Sequence, residues 1–390
     1  MPLLLKNCNI FAPEPLGVKD ILIEGERIAL IASDLDARNP ALKTEVIDFG
    51  GATVTPGLID IHVHATGGGG EQGPTSRVPE LMLTDFTLNG VTSIVGLLGT
   101  DGVSRSLENL LYKVRALEEE GMTTWMLTGN YSYPSPTMTG DVARDIALID
   151  KVIGVKIAIS DHRSSAVTGR ELARLAADAR VAGILAGKPG FVTMHIGSSD
   201  KLMTSLFEAL DSSDVPPTNF LPTHCCRSHE LISEAVRFNK MGGFIDFTAD
   251  LPESVEGTAK AVAHALELGA DPSRVTMSSD AGGSQPVFDE RGNCISMDSV
   301  TSVTLLQELR RMVRYQDIPF ETALAFFTAN PAGLLQKEKL IGTIAEGGHA
   351  DILAMDADYN VRDLIMRGRV AVRNGRPTIK GKFEHVELSE

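Results

Sequence analysis

The sequence predicts an α/β fold, a (β/α)8 TIM-like barrel carrying a small β-sandwich assembled from the two ends of the chain. Three observations predict it. β-rich runs occupy both termini, short apolar runs alternate with longer amphipathic ones between them, and several of those apolar runs end in histidine or aspartate. At 390 residues the chain is long enough for one large domain and a smaller one.

Taken in order, Leu3–Phe11, Ile21–Ile31 and Thr44–Phe49 are β-branched and aliphatic, broken by Gly25-Glu26 and by proline or polar turns. The far end looks alike: Asp351–Met355, Val361–Arg367 and Arg369–Arg373 are strand-like, and Asn374-Gly375 is a favoured hairpin turn. Neither set closes a core alone. The simplest arrangement pairs residues 1–54 with 346–390 as one sandwich and leaves 55–345 to the barrel.

Within 55–345 buried-strand runs are expected at Leu58–Val63, Thr92–Leu98, Thr124–Leu127, Val155–Ile159, Val192–Ile196, Phe220–Thr223, Phe244–Thr248 and Val275–Ser278. Helical patterns fall at Pro79–Asn89, Ser104–Glu120, Val142–Val152, Arg170–Ala186, Lys201–Leu210, Glu230–Lys240, Val255–Leu268 and Ser299–Tyr315. This alternation has the rhythm of a barrel. A doubly wound open sheet would carry a glycine fingerprint that is missing here.

Hydrophobic residues at 43% and charged residues at 22% are ordinary for a globular chain, so composition excludes little. The formal charge of −15 is more decisive, arguing against nucleic acid or an anionic membrane as partner. The N-terminal apolar run is interrupted by Lys6 and too short for a signal peptide. No stretch reaches the ~18 apolar residues of a membrane span. Cys8, Cys225, Cys226 and Cys294 make no disulfide framework, and a cytoplasmic location is expected. Adjacent Cys225 and Cys226 are expected not to point inward together, and lack the C-x-x-C spacing of a thiol zinc site.

Barrel chemistry sits at the C-terminal ends of the strands, so those ends are where candidate residues are expected. The first ends in His62 and His64, whose i, i+2 spacing on a strand puts both imidazoles on one face. The fifth carries His195, the sixth ends at His224 and the eighth at Asp280. Imidazoles and a carboxylate converging at one mouth are the ligand types of a divalent metal site. The fourth strand holds Lys156 inside an apolar run. Burial lowers a lysine's pKa, leaving a neutral amine that can form a Schiff base or add carbon dioxide as a carbamate. Four surrounding histidines favour the carbamate, since two cations need a bridging anion and a Schiff base needs no imidazoles.

These residues, with Pro56–His64, Gly67-Gly68-Gly69-Gly70-Glu71, Val95–Asp101, Met126–Tyr131, Ile153–Lys156, Ser160–Ser164 and Ser278–Pro286, carry a resemblance to a known family. The chain resembles the isoaspartyl dipeptidases of the binuclear amidohydrolase superfamily over essentially its whole length. The resemblance implies hydrolysis of β-aspartyl dipeptides by a hydroxide bridging two metal ions. One zinc would take His62, His64, carboxylated Lys156 and Asp280; the other would take the carbamate, His195 and His224. Cobalt or manganese suits the same ligands. Asp280 would pass the proton to the leaving amine. Tyr131, which by itself reads as a surface aromatic on a proline-rich loop, would swing in to steady the oxyanion. The resemblance also implies a homo-oligomer, an octamer.

An isoaspartyl dipeptide presents one ammonium and two carboxylates. Glu71, following four glycines, suits the ammonium, and Gly69 and Thr100 are positions the resemblance assigns to substrate. Arg163 and Arg227 follow the fourth and sixth strands, where a guanidinium fork matches a carboxylate, and Ser284 adds a hydroxyl. The competing expectation within the same fold is a cyclic-amide hydrolase, dihydroorotase- or hydantoinase-like. It accounts for the metals but not for Glu71 together with two arginines.

Overall fold

The computed structural model describes residues 2–36, 43–250, 254, 257–289 and 291–388. The chain opens with five strands, β1 (Leu3–Phe11), β2 (Pro15–Glu24), β3 (Arg27–Ala32), β4 (Glu45–Asp48) and β5 (Thr53–Pro56). Eight strands and seven helices then alternate. They are β6 (Leu58–Val63), α1 (Leu83–Thr87), β7 (Val91–Gly96), α2 (Leu107–Glu120), β8 (Thr123–Gly129), α3 (Val142–Leu148), β9 (Val152–Ile159) and α4 (Gly169–Ala186). After these come β10 (Phe191–Ile196), α5 (Thr204–Asp211), β11 (Phe220–Thr223), α6 (His229–Lys240), β12 (Ile245–Thr248), α7 (Thr258–Glu267) and β13 (Val275–Ser278). A hairpin of β14 (Ser284–Phe288) and β15 (Cys294–Ser299) precedes α8 (Val303–Tyr315), α9 (Phe320–Ala325) and α10 (Ala329–Leu334). The chain closes with β16 (Ile352–Met355), β17 (Val361–Met366), β18 (Arg369–Arg373) and β19 (Arg376–Pro377).

The helices start and stop for local reasons. Thr168 caps α4 in a capping box with Glu171, Ser106 caps α2 and Ser228 caps α6, while Gly121 and Gly187 end α2 and α4 in the left-handed region. Helix α1 is far shorter than the pattern from Pro79 implied. Pro79 biases the chain away from helix, and the turn begins only where Asp85 accepts from the Met82 amide at 2.6 Å. Helix α3 also stops early, and β9 begins at Val152, where burial on both faces favours strand over helix. The start of the helix expected from Val255 lies outside the described residues, and α7 begins at Thr258.

β6 to β11 form a six-stranded parallel sheet in chain order, and β12 and β13 form a separate parallel pair. Among the described residues no strand ladder spans the two seams between them; a buried aspartate bridges each instead. Asp246 of β12 accepts from Thr223 of β11 at 2.6 Å, and Asp60 of β6 accepts from the Ser279 amide, just past β13, at 3.1 Å and from its hydroxyl. Isolated backbone bonds cross as well, Cys225 N to Asp246 O at 3.2 Å at the first seam, and His64 N to Ala281 O at 2.8 Å and Gly68 N to Gly282 O at 2.7 Å at the second. The parallel layer is therefore an arc of six plus a pair, not one unbroken ladder.

The terminal strands join in one mixed nine-stranded sheet, ordered β19-β18-β17-β16-β5-β1-β2-β3 with β4 also on β1. The expected two-sheet sandwich is thus a single sheet. β1 branches, pairing with β4 over Leu3–Lys6 and with β5 at Asn9–Ile10, and the sheet has its own core of residues such as Leu5, Ile10, Ile21 and Ile352. A second cluster near the N-terminal ends of the parallel strands, with Ile59, Phe191 and Leu221, is closed by Leu334, Leu335 and Ile341. That leaves the opposite strand ends open. Among the described residues no helix is long and apolar enough to cross a membrane.

Candidate active site

Every residue singled out at the strand ends lies around one mouth. His62 is buried at the end of β6, and His64 follows it. Asp280, in the left-handed region at φ 61°, brings Oδ1 to 3.4 Å from His62 Nε2 and 3.1 Å from His64 Nε2. His224 also adopts a left-handed φ, 64°, just past β11, which sets its ring 5.1 Å from that of His62 and 4.6 Å from that of His195. Lys156 is fully buried in β9 with Nζ 3.0 Å from His62 Nε2.

Second partners orient two rings and, for His195, fix the tautomer. His224 Nδ1 meets Thr248 Oγ1 at 2.6 Å, which turns Nε2 toward the mouth. His195 Nε2 meets the Asp161 carboxylate at 2.9 Å. A carboxylate only accepts, so Nε2 carries the proton and the bare Nδ1 accepts from the Tyr131 hydroxyl at 2.7 Å. Tyr131 is buried and already in place, not a surface aromatic on its loop.

Burial keeps three of the imidazoles, His62, His195 and His224, neutral. Burial, then the neighbouring Lys156, His64 and His195, holds His62 well below the usual histidine range, and His224 is lowered in the same way. Burial likewise pulls His195 down to about 3. Lys156 falls from 10.5 to about 7 because burial outweighs the attraction of Asp280 and Asp246.

The donor set itself tests the fit to a metal ion. His62, His224 and Asp280 present ligand atoms all within 4.8 Å of one another. Among the described residues His62 Nδ1, His64 Nδ1 and Asp280 Oδ1 are buried without a hydrogen-bond partner. Neutral imidazoles and a carboxylate converging without enough donors to satisfy them match the needs of a divalent cation.

A cavity of about 390 Å³ runs outward from this cluster past Gly69, Thr100, Tyr131, Arg163 and Arg227 to Ser284. Glu71 also lines it, accepting from Ser284 Oγ at 3.0 Å and Arg163 Nη1 at 3.3 Å, with Oε2 unpartnered among the described residues. Arg227 donates from Nε to the Ile196 carbonyl at 3.0 Å. The Arg163 fork is not open as its sequence position implied, because Nε and Nη2 are held by Asp161 at 2.9 and 2.8 Å.

Some contributors were not foreseen. Asp161 and Thr248 act on the histidines through their second nitrogens. Gly99 lets its loop approach so closely that a Cβ there would sit 2.7 Å from His64 Cε1. Phe288 and Met297 of the β14–β15 hairpin wall the cavity. Cys225 and Cys226 are both fully buried because they lie in the turn after β11 rather than alternating along a strand. The proximity of Asp161 to Arg163 was a usable signal; the hairpin, with Pro286 and mostly exposed faces, offered none.

A parallel strand layer with its polar cluster at the C-terminal ends is a metallohydrolase arrangement, and the chain belongs to the amidohydrolase family, whose model matches residues 53–378. More narrowly, it is similar to the solved β-aspartyl dipeptidase of the thermophilic, keratin-degrading Fervidobacterium islandicum AW-1 in complex with β-Asp-Leu dipeptide. The two are 39% identical over 98% of this chain and 99% of that one, with a TM-score of 0.92. Among curated proteins it is 26% identical over 364 residues to adenine deaminase 2 of Agrobacterium fabrum, covering 92% of this chain and 54% of that protein. It is also 33% identical over 111 residues to dihydroorotase of Streptococcus pyogenes, covering 28% of this chain and 24% of that protein. The chain thus spans about half the length of the adenine deaminases it matches.

Proposed function

We propose that this chain is a metal-dependent dipeptidase that hydrolyses β-aspartyl dipeptides. The observation that carries the reading is the pairing of Glu71 with Arg163 and Ser284 along the cavity from the imidazole cluster. An anion and cations set along one cleft suit a substrate with an ammonium and two carboxylates. The likeness to the Fervidobacterium enzyme over nearly the full length supports it.

In this reading His62, His64, Asp280 and a carboxylated Lys156 would hold one zinc, and Lys156, His195 and His224 would hold the other. When bound, such ions acidify water and polarise a carbonyl. The protein's own groups do the rest. Asp280, with its carboxylate at the cavity floor, takes the proton of the attacking water and returns it to the leaving amine. Tyr131, whose pKa burial holds above the usual tyrosine range, remains a donor and steadies the developing oxyanion. Glu71 receives the ammonium, Arg163 Nη1 and Arg227 face the carboxylates, and the backbones of Gly69 and Thr100 complete the binding surface. The reading takes 55–345 as a (β/α)8 catalytic barrel and 1–54 with 346–390 as an attached β domain. It extends to a cytoplasmic homo-oligomer, an octamer.

The short dihydroorotase match keeps cyclic-amide hydrolysis as the rival. Metal-loaded protein assayed side by side on β-Asp-Leu, α-Asp-Leu and dihydroorotate decides. Turnover of β-Asp-Leu alone is expected; dihydroorotate turned over with the higher kcat/KM would transfer the assignment to the rival.

A further inference from the structure

We propose that Asp161 is a positioning residue that ties His195, on the metal side of the cavity, to Arg163, on its substrate side. The inference deepens the dipeptidase reading and rests on it for the roles of those two residues. The Asp161 side chain is 5% exposed and its two oxygens are fully used. Oδ2 accepts from His195 Nε2 at 2.9 Å and Arg163 Nη2 at 2.8 Å; Oδ1 accepts from the Arg163 amide at 2.8 Å and Nε at 2.9 Å. Four N–H groups point at these two oxygens, so the carboxylate serves as an acceptor to both residues.

The backbone is shaped for this contact. Ala158 of β9 is in register with His195 of β10, and a left-handed turn at Ser160, φ 56°, redirects the chain so that Asp161 returns over the end of β10. Gly197 makes room there, since a Cβ on it would lie 2.6 Å from Asp161 Cα. The turn is pinned by Ser199 N to Ser160 O at 3.1 Å and Ser164 N to Asp161 O at 3.0 Å.

Two consequences follow from one carboxylate. By accepting from Nε2 it turns the His195 Nδ1 lone pair to the mouth, where the Tyr131 hydroxyl donates to it at 2.7 Å, and makes that nitrogen more basic, as carboxylate partners of ligating histidines do. By saturating the Nε–Nη2 edge of Arg163 it leaves Nη1 as the edge turned to Glu71, so this arginine meets a ligand through one nitrogen rather than a full fork. His195 and Arg163 therefore cannot move independently.

Asp161→Asn keeps the size and removes the charge. Zinc-loaded protein is challenged with a chromophoric chelator, and metal release is read with no substrate present. Release about 10- to 100-fold faster than the parent is expected. On β-Asp-Leu the KM should rise about tenfold through the loosened Arg163. In an Arg163→Ala background Asp161→Asn should still speed metal release but add no further rise in KM. Parental release and parental KM in a variant with an unaltered circular dichroism spectrum would overturn the proposal. So would KM effects of the two substitutions that simply multiply. A merely structural residue would lower Tm and leave both readouts of the folded fraction unmoved, which also overturns it. If the parent itself fails to cleave β-Asp-Leu, the dipeptidase reading falls, and the release measurement still decides whether Asp161 supports His195.

Discussion

Lys156 shows how one side chain's setting selects its chemistry. Nothing of it reaches solvent, and burial brings its pKa to about 7, so near neutrality much of it is the free amine. Only the free amine adds carbon dioxide, so carboxylation is favoured as pH rises above about 7 and opposed below it. Lys156→Ala should lower activity at least about 100-fold and reduce bound metal, with partial recovery in short carboxylic acids. An active, metal-replete variant would refute the carbamate. Glu71 makes the complementary case. Glu71→Gln keeps the Ser284 contact but loses the charge, so KM for β-Asp-Leu should rise about tenfold or more while metal content holds. Loss of metal in that variant would make Glu71 structural. At this scale much was legible: His62, His64, Lys156, His195, His224 and Asp280 stood at strand ends in the sequence, and the structure gathers them at one mouth. Which nitrogen each ring would turn inward was not legible, because Thr248 and Asp161 lie far from their histidines along the chain.

Among elements, the junction between the nine-stranded sheet and the parallel layer carries its own buried titratable pair. Asp351, between β16 and the preceding loop, is raised from 3.8 to about 7 by burial despite the Arg367 amide at 2.7 Å. His349, 3.8 Å away and beside Thr123 of β8, is lowered from 6.5 to about 4 by burial and then by Arg367 and Arg27. Between about 4 and about 7 the folded protein keeps the Asp351 proton that the unfolded chain has released, so this residue's contribution to stability falls as pH rises. His349 works the other way. Between about 4 and 6.5 the unfolded chain binds a proton that the folded one refuses, so its contribution grows with pH. Removing one should expose the other. Thermal midpoints of Asp351→Asn relative to the parent should improve steadily from pH 4 to 7; parallel curves would show that Asp351 does not titrate differently on folding. Strand positions were the readily legible part of the elements, because burial on both faces leaves near-continuous apolar runs in β6 and β9. The β14–β15 hairpin and the short helices α9 and α10 were missed, being half-exposed or only six residues long.

For the whole molecule, the division into an arc and a pair would make metal binding at the mouth a matter of global rigidity. His62, His64, Lys156, His195 and His224 belong to the six-stranded arc, whereas Asp280 comes from the pair. An ion held between them would link the two parts. Removing metal with a chelator should therefore lower Tm and speed amide exchange in β12 and β13 more than in β7 to β10. Uniform exchange would show that the ions brace nothing beyond their ligands. The alternation of strand and helix made the parallel layer readable. The seams were not, since Asp60 and Asp246 look like stray charges in apolar strands until Ser279 and Thr223 are brought against them.

Those two buried carboxylates act as clasps holding a pair of staves in place. Side chains and isolated backbone bonds restrain a seam less than a full amide ladder does, so the Asp280 side of the mouth is the side expected to give. A cation of somewhat different radius is then expected to be met by a slight tilt of two strands, while the other six keep their places.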